Sequence, residues 1–334
     1  MRIESSRVVS PANSLPRTSL FRLRTWLSLA VLAIFTCAAA LAQGNRYTSI
    51  VVFGDSLSDT GNVTHLAYHD FGILAPGPIV NYTVGRFTDG DDTIPAARNY
   101  FGVWVEQLAD SLPSLSNHKV VDSLDGGTNY AYGHATTGNG TSPLSFDGKT
   151  VYVENIGQQI TDYLSTHPKI DDHTLFVVWG GAEDLLNATS SKDVSNAAIQ
   201  ETLNIQRLIQ AGATQFLIPN LPPLGLVPEF SSSLATSLPA TAASVLFNSY
   251  LAVGLSVLKD FNPLKHLTFY QLDVFSLLLR VDAAPLAYSL VNVTTPAQGQ
   301  TLVNPDAYLF WDALHPTTRG HKILANAALS LLTP

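Results

Sequence analysis

The sequence predicts an α/β fold, a three-layer α/β/α sandwich around a mainly parallel sheet. Two observations carry that prediction. From Tyr47 onward, short β-branched or aromatic runs alternate with longer stretches of helical period. No charge run or Pro/Ser tract divides the chain after that point, so residues 43–334 are expected to form a single domain.

Strands are predicted at Ser49–Phe53, Thr174–Trp179, Gln215–Pro219 and Leu267–Gln271, where apolar residues run almost without interruption. Between the second and third, Ala198, Ile205, Leu208, Ile209 and Gly212 share one helical stripe, and Gly212 stands where a helix C-terminus favours glycine. Ile199 and Leu203 lie off that stripe, which predicts a helix buried on more than one side. A last helix is expected from about Arg319 to Leu332. The Gly-, Pro- and Asn-rich stretches Phe71–Asn99 and Asp122–Gly148 show no period and are expected to be long loops over the sheet edge.

The N-terminus reads differently. Arg2, Arg7, Arg17, Arg22 and Arg24 precede a small and apolar run from Trp26 to Ala42 that ends Ala40-Leu41-Ala42. This predicts a secretory signal over residues 1–42 and a secreted, extracellular product with no stable membrane association after cleavage, the long basic leader leaving an uncleaved signal anchor as the alternative. Removing five Arg and one Glu leaves 13 of the 18 basic and 25 of the 26 acidic side chains, a formal net charge of −12. Nucleic acid is therefore excluded as a partner, because phosphate contacts need clustered Lys and Arg. The one cysteine, Cys37, falls inside the signal, which leaves no disulfide and no thiol chemistry. Sequons at Asn62, Asn81, Asn139, Asn187 and Asn292 fit a glycosylating route, with Asn62 expected to be buried and unmodified.

Gly54-Asp55-Ser56-Leu57-Ser58-Asp59-Thr60-Gly61-Asn62 follows directly on the first strand. Ligands of open α/β sheets bind beyond the carboxyl ends of strands, so Ser56 stands where a nucleophile would, with its own N–H free to bind an oxyanion. A serine hydroxyl needs a base, and Asp312-Ala313-Leu314-His315-Pro316 supplies an imidazole with a carboxylate three residues away.

These motifs resemble the blocks of the GDSL or SGNH hydrolases, in order from Tyr47 to the C-terminus. Gly54-Asp55-Ser56-Leu57 is similar to the first block and Gly126-Gly127-Thr128-Asn129-Tyr130-Ala131-Tyr132-Gly133 to the second. Trp179-Gly180-Gly181-Ala182-Glu183-Asp184 is similar to the third, and Asp312 to His315 to the last. The resemblance implies Ser56 as nucleophile, His315 as base, Asp312 as its orienting group, and an oxyanion hole from the N–H groups of Ser56 and Gly133 and the side chain at 183. It implies no metal or organic cofactor.

Two departures stand out. The family has Asn where this chain has Glu183, and an ionised carboxylate only accepts. Loss of one oxyanion donor costs about 10²–10³ in kcat, roughly 3–4 kcal/mol. His134 also replaces a glycine that often follows Gly133.

Gly85-Arg86-Phe87-Thr88-Asp89-Gly90, Trp104-Val105-Glu106 and Pro219-Asn220-Leu221-Pro222-Pro223-Leu224-Gly225 are similar to the secreted fungal acetylesterases of carbohydrate esterase family 16. That likeness implies a secreted serine esterase acting on small acyl (acetyl) esters of plant cell-wall oligosaccharides. The alternatives are a lipase or phospholipase of the same blocks, or a carbohydrate-binding pseudoenzyme with Glu183 as its main support. Tyr82, Phe87 and Trp104 either line a sugar site or cover the sheet edge. His65 and His69 have the i, i+4 spacing of a metal pair but no matching third ligand, and read as exposed histidines. Asp89, Asp91 and Asp92 read as a solvated loop rather than a cation site.

Overall fold

The computed structural model describes residues 47–333 apart from 78–79, 91–99, 116–118 and 302. The expected signal, Cys37, Asp91 and Asp92 lie outside the described residues.

Strand β1 (Ser49–Gly54) leads through helices α1 (Asn62–Phe71) and α2 (Trp104–Ser111) to a hairpin, β2 (Thr141–Phe146) and β3 (Lys149–Glu154). Then follow α3 (Ile156–Thr166), β4 (Thr174–Trp179), α4 (Ala182–Leu186), α5 (Ser191–Ala211), β5 (Gln215–Pro219), α6 (Pro228–Ser231) and α7 (Leu234–Phe261). Strand β6 (Thr268–Leu272), α8 (Val274–Ala283) and α9 (Thr318–Leu332) close the chain. The main sheet has the order β1-β4-β5-β6, all parallel.

Each parallel step needs a crossover, and right-handed crossovers in one direction place their helices on one face. Accordingly α3 packs on β1 and on α5, and α5 packs along α7; α2 and α9 pack together, with α9 against β6. With both faces covered, the central strands carry apolar side chains on each side, and β4 is buried throughout.

Register brings the expected blocks to one edge. Phe53 pairs with Val178 and Gly54 with Trp179, so the turns after β1 and β4 emerge side by side. On the other flank of β1 the second block runs parallel to it: Val52 N donates to Thr128 O (3.0 Å), Tyr130 N to Val52 O (2.8 Å) and Tyr132 N to Gly54 O (3.2 Å).

Three differences from the sequence reading have physical reasons. The stretch Asp122–Gly148 is not all loop, because β2 and β3 pair antiparallel across Asp147-Gly148, both at positive φ (47° and 75°). Ser, Thr and Pro in β2 hide its alternation, while Val151 and Val153 of β3 pack with Val63 and Ala67 of α1. In α5, Ile199 and Leu203 are exposed, so the helix buries one broad stripe rather than several sides. Helix α7 escaped notice because Ala, Ser and Thr blur its period. By length and composition it could cross a membrane, yet Phe247, Leu251, Leu255 and Leu258 lie in the core.

Candidate active site

Asp55 O accepts from the N–H groups of Ser58 and Asp59, a single turn that leaves Ser56 at the mouth of β1. Ser56 Oγ lies 2.9 Å from His315 Nε2, and His315 Nδ1 lies 2.7 Å from Asp312 Oδ2. Leu314 N and His315 N donate to the other oxygen, Asp312 Oδ1, at 2.8 and 2.6 Å, so the turn itself orients the carboxylate. The Phe87 ring lies against the imidazole, centroids 5.1 Å apart.

Electrostatics follow from this packing. Burial works against a charged imidazole, but Asp312, with smaller help from Glu183 and Asp55, leaves the His315 pKa above its ordinary value. Burial likewise opposes the Asp312 carboxylate, and His315 and the hydrogen bonds it receives hold it well below the usual range. Burial and then the charge of Glu183 push Asp55 up to about 7.

One expected donor is already engaged. Gly133 N donates to Asp59 Oδ2 at 2.9 Å, and Asp59 also accepts from the N–H groups of Gly61, Asn62 and Val63. This corrects the assignment of the Gly133 N–H to the oxyanion hole. The residue is glycine for another reason, since a Cβ there would stand 2.4 Å from the Phe87 ring. The N–H groups of Ser56 and His134 have no hydrogen-bond partner among the described residues. His134 sits at φ 69°, a left-handed conformation that favours glycine, and follows the last ladder bond beside β1 by two residues.

Glu183 is buried near the N-terminus of α4, and its Oε2 lies 3.1 Å from His134 Nδ1. That contact raises the His134 pKa against partial burial. Asp184 accepts from Thr137 N and Oγ1 at 2.8 and 2.9 Å, tying the third block to the segment that follows the second.

The aromatic residues divide. Tyr82 OH donates to Asp312 Oδ2 at 2.5 Å, and Phe87 touches His315. Trp104 is fully buried, its Nε1 donating to Ser58 Oγ at 3.1 Å and its ring edge-on to Trp179, so it cannot line a substrate site. Asp89 is buried, with Oδ1 accepting from Thr318 N, and is not part of a solvated loop. Asn62 is buried too; its Nδ2 donates to Asn129 O and Ala131 O.

His65 and His69 do not converge: His65 faces Asp125 at 3.4 Å and His69 faces Asp70 at 2.9 Å. His65, Asp122 and Asp125 have ligand atoms within 4.8 Å of one another and are the described group that could hold a cation, sharing no residue with the Ser56 site. Sequence reasoning missed Asp59 as an organiser, although its Asp-Thr-Gly-Asn setting is a helix-capping signal. It also missed the Tyr82 contact, which joins residues 230 positions apart and leaves no local signal.

The arrangement can pass a proton from Ser56 Oγ to His315 while Asp312 stabilises the resulting cation. An uncharacterized protein of Pseudomonas putida is 29% identical over 338 residues, which cover 92% of this chain and 52% of that protein, so the chain spans about half of it. The phosphatidylcholine-sterol acyltransferase of Aeromonas hydrophila is 28% identical over 334 residues, covering 86% of this chain and 90% of that protein. Among solved structures, LAE5, an alpha/beta hydrolase enzyme from the metagenome of Lake Arreo, Spain, aligns over 87% of this chain and 98% of its own at 11% identity, with a TM-score of 0.46. The sequence model of GDSL-like lipases and acylhydrolases matches residues 50–328, and the chain belongs to that family.

Proposed function

We propose that this hydrolase is a secreted serine esterase that cleaves small acyl esters, acetyl above all, from plant cell-wall oligosaccharides. The observation that carries the hydrolytic reading is the hydrogen-bonded series Ser56 Oγ, His315, Asp312 beside two uncommitted N–H groups. Ser56 attacks the ester carbonyl as His315 Nε2 takes its proton. The tetrahedral oxyanion rests on the N–H groups of Ser56 and His134, and His315 returns the proton to the leaving alcohol. Water, activated by the same imidazole, releases the acid. The acetyl and carbohydrate preference rests on the likeness of Gly85–Gly90 and Pro219–Gly225 to fungal acetylesterases.

A longer acyl chain is the second reading, and one observation favours it. A groove of about 570 Å³, mostly apolar but with Thr189, Ser190, Ser191 and Thr236 in its wall, is lined by Leu185 and Leu186 of α4, Val194 of α5, Phe230 of α6 and Ala243 and Leu246 of α7. Its lining residue Leu185 follows Glu183 by two positions in α4, and α6 is tied to the Asp312–His315 turn by Glu229 N donating to Ala313 O at 2.9 Å. The name of the Aeromonas relative points the same way.

The deciding experiment is a series of p-nitrophenyl esters from acetate to palmitate, run beside acetylated xylo-oligosaccharides, with Ser56→Ala as control. Highest kcat/KM on acetyl substrates supports the first reading. A peak at eight carbons or more moves it to the second, and activity that survives Ser56→Ala refutes both.

A further inference from the structure

We propose that Tyr82 is a positioning residue of the hydrolytic centre, acting through Asp312 on His315. The inference rests on the serine-hydrolase reading. Asp312 Oδ2 is shared by two donors, His315 Nδ1 at 2.7 Å and Tyr82 OH at 2.5 Å. Among the described residues the remaining donors to this carboxylate, Leu314 N and His315 N, come from its own turn and reach only Oδ1. Tyr82 is thus the group from outside the turn that fixes the oxygen facing the imidazole.

The phenol is held for this role. Its ring stands edge-on to Trp311, 6.0 Å between centroids. Thr83 Oγ1 donates to Asp89 O, Thr88 Oγ1 to Pro316 O, and Gln298 Nε2 to Val80 O. Asp89 Oδ1 accepts from Thr318 N. The segment around Tyr82 is therefore fastened on both sides of the Asp312–His315 turn. Burial, together with the adjacent Asp312 charge, raises the phenol pKa far above its ordinary value, so Tyr82 stays protonated and acts as a donor.

A donor on Oδ2 has two effects. It sets the plane of the carboxylate, and hence the direction of the Nδ1–H bond. It also draws off part of the negative charge that would otherwise stabilise the His315 cation, keeping the base less basic than Asp312 alone would make it. Among the described residues, Glu183, Asp55 and the buried His321 also bear on His315, and Tyr82→Phe alters none of them.

The test is Tyr82→Phe, which keeps the ring and deletes the hydroxyl. The ¹⁵N imidazole signals of His315 in substrate-free protein are expected to titrate at a pKa higher by about 0.3–1 unit. The acid limb of kcat/KM should move up in pH by the same amount, with kcat about 5- to 20-fold lower and KM within about twofold of native. An unmoved His315 titration, or a loss confined to KM, would overturn the proposal, the latter making Tyr82 a substrate contact. If Tyr82→Phe does not fold, 3-fluorotyrosine at position 82 preserves the shape and strengthens the donor, and should shift the titration downward; no shift refutes the proposal. The titration needs no substrate, so absence of esterase activity in the native protein would sink the hydrolase reading separately.

Discussion

His134 Nδ1 lies 3.1 Å from Glu183 Oε2, so the two positions at which this chain departs from the family pattern touch each other. Taken singly, Glu183 places an acceptor where a donor is expected, and His134 places a bulky residue where glycine is usual. Together they form an imidazole–carboxylate pair at the rim of the candidate oxyanion site, and the carboxylate raises the pKa of its partner. The contact raises the His134 pKa, and a protonated imidazole would offset a charge on Glu183, so the two substitutions are expected to act as one change.

The pair predicts strong non-additivity. His134→Ala removes the imidazole that faces Glu183, and should lower kcat by about 10- to 100-fold, or roughly 1.4–2.7 kcal/mol. Glu183→Asn in that background should recover at least about tenfold, because it deletes the repulsion and supplies a donor. Steady-state kinetics on the double-mutant cycle decide it; additive effects of the two substitutions would rule the coupling out.

Much of this site is legible in the sequence, because strand ends and short turns carry local signals. Ser56 follows β1 directly, and Asp312 and His315 share one turn, so residue type and spacing bring them forward. What stays hidden depends on long-range packing. The Gly133 N–H is claimed by Asp59, 74 residues earlier, and Tyr82 reaches Asp312 across 230 residues. Trp104 reads equally as sugar platform or core, since an aromatic side chain suits both until its burial is known. The β2–β3 hairpin was marked by Asp147-Gly148, a stronger signal than the surrounding Gly- and Pro-rich composition that obscured it.

Gly133 has a steric duty that can be tested. A methyl group there would meet the Phe87 ring at 2.4 Å, and that ring packs on His315. Gly133→Ala should destabilise by about 1–3 kcal/mol through overpacking and displace the imidazole, lowering kcat more than it raises KM. Adding Phe87→Leu should restore part of both losses, read by thermal denaturation and kinetics. Failure of the second substitution to help would show that the glycine is required for backbone reasons instead.

Trp104 separates core from substrate roles. Trp104→Phe leaves a void beside Trp179 and strands Ser58 Oγ without its indole donor, at a cost of about 1–3 kcal/mol. The melting temperature should drop by several degrees while KM for oligosaccharide esters stays within about twofold. A raised KM at unchanged stability would return Trp104 to the substrate site.

Stability should decline between pH 6.5 and 8, and the sign follows from buried carboxyl groups. Burial, reinforced by Asp184, pushes Glu201 up to about 8, and its Oε2 has no hydrogen-bond partner among the described residues. Burial with Glu183 pushes Asp55 to about 7, and burial with Asp162 pushes Glu154 to about 7. In the unfolded chain such groups titrate near 4, so between about 4 and those values the folded protein binds more protons, and raising the pH favours unfolding. His315 acts in the same direction: its raised pKa contributes stability fully below about 6.5, and that contribution is lost as the pH passes the folded value. Two groups work otherwise. His321, lowered to about 3 by burial, makes stability rise with pH only up to about 6.5, and the depressed Asp312 contributes a constant amount above about 4. Above pH 6.5 the declining contributions are therefore unopposed by these two. Melting temperatures at matched ionic strength should fall from pH 6.5 to 8, and Glu201→Gln, neutral at every pH, should flatten the decline. A melting temperature that rises across this interval, or a slope unaffected by Glu201→Gln, would mean that Glu201 is ionised in the folded protein and held by interactions stronger than its burial.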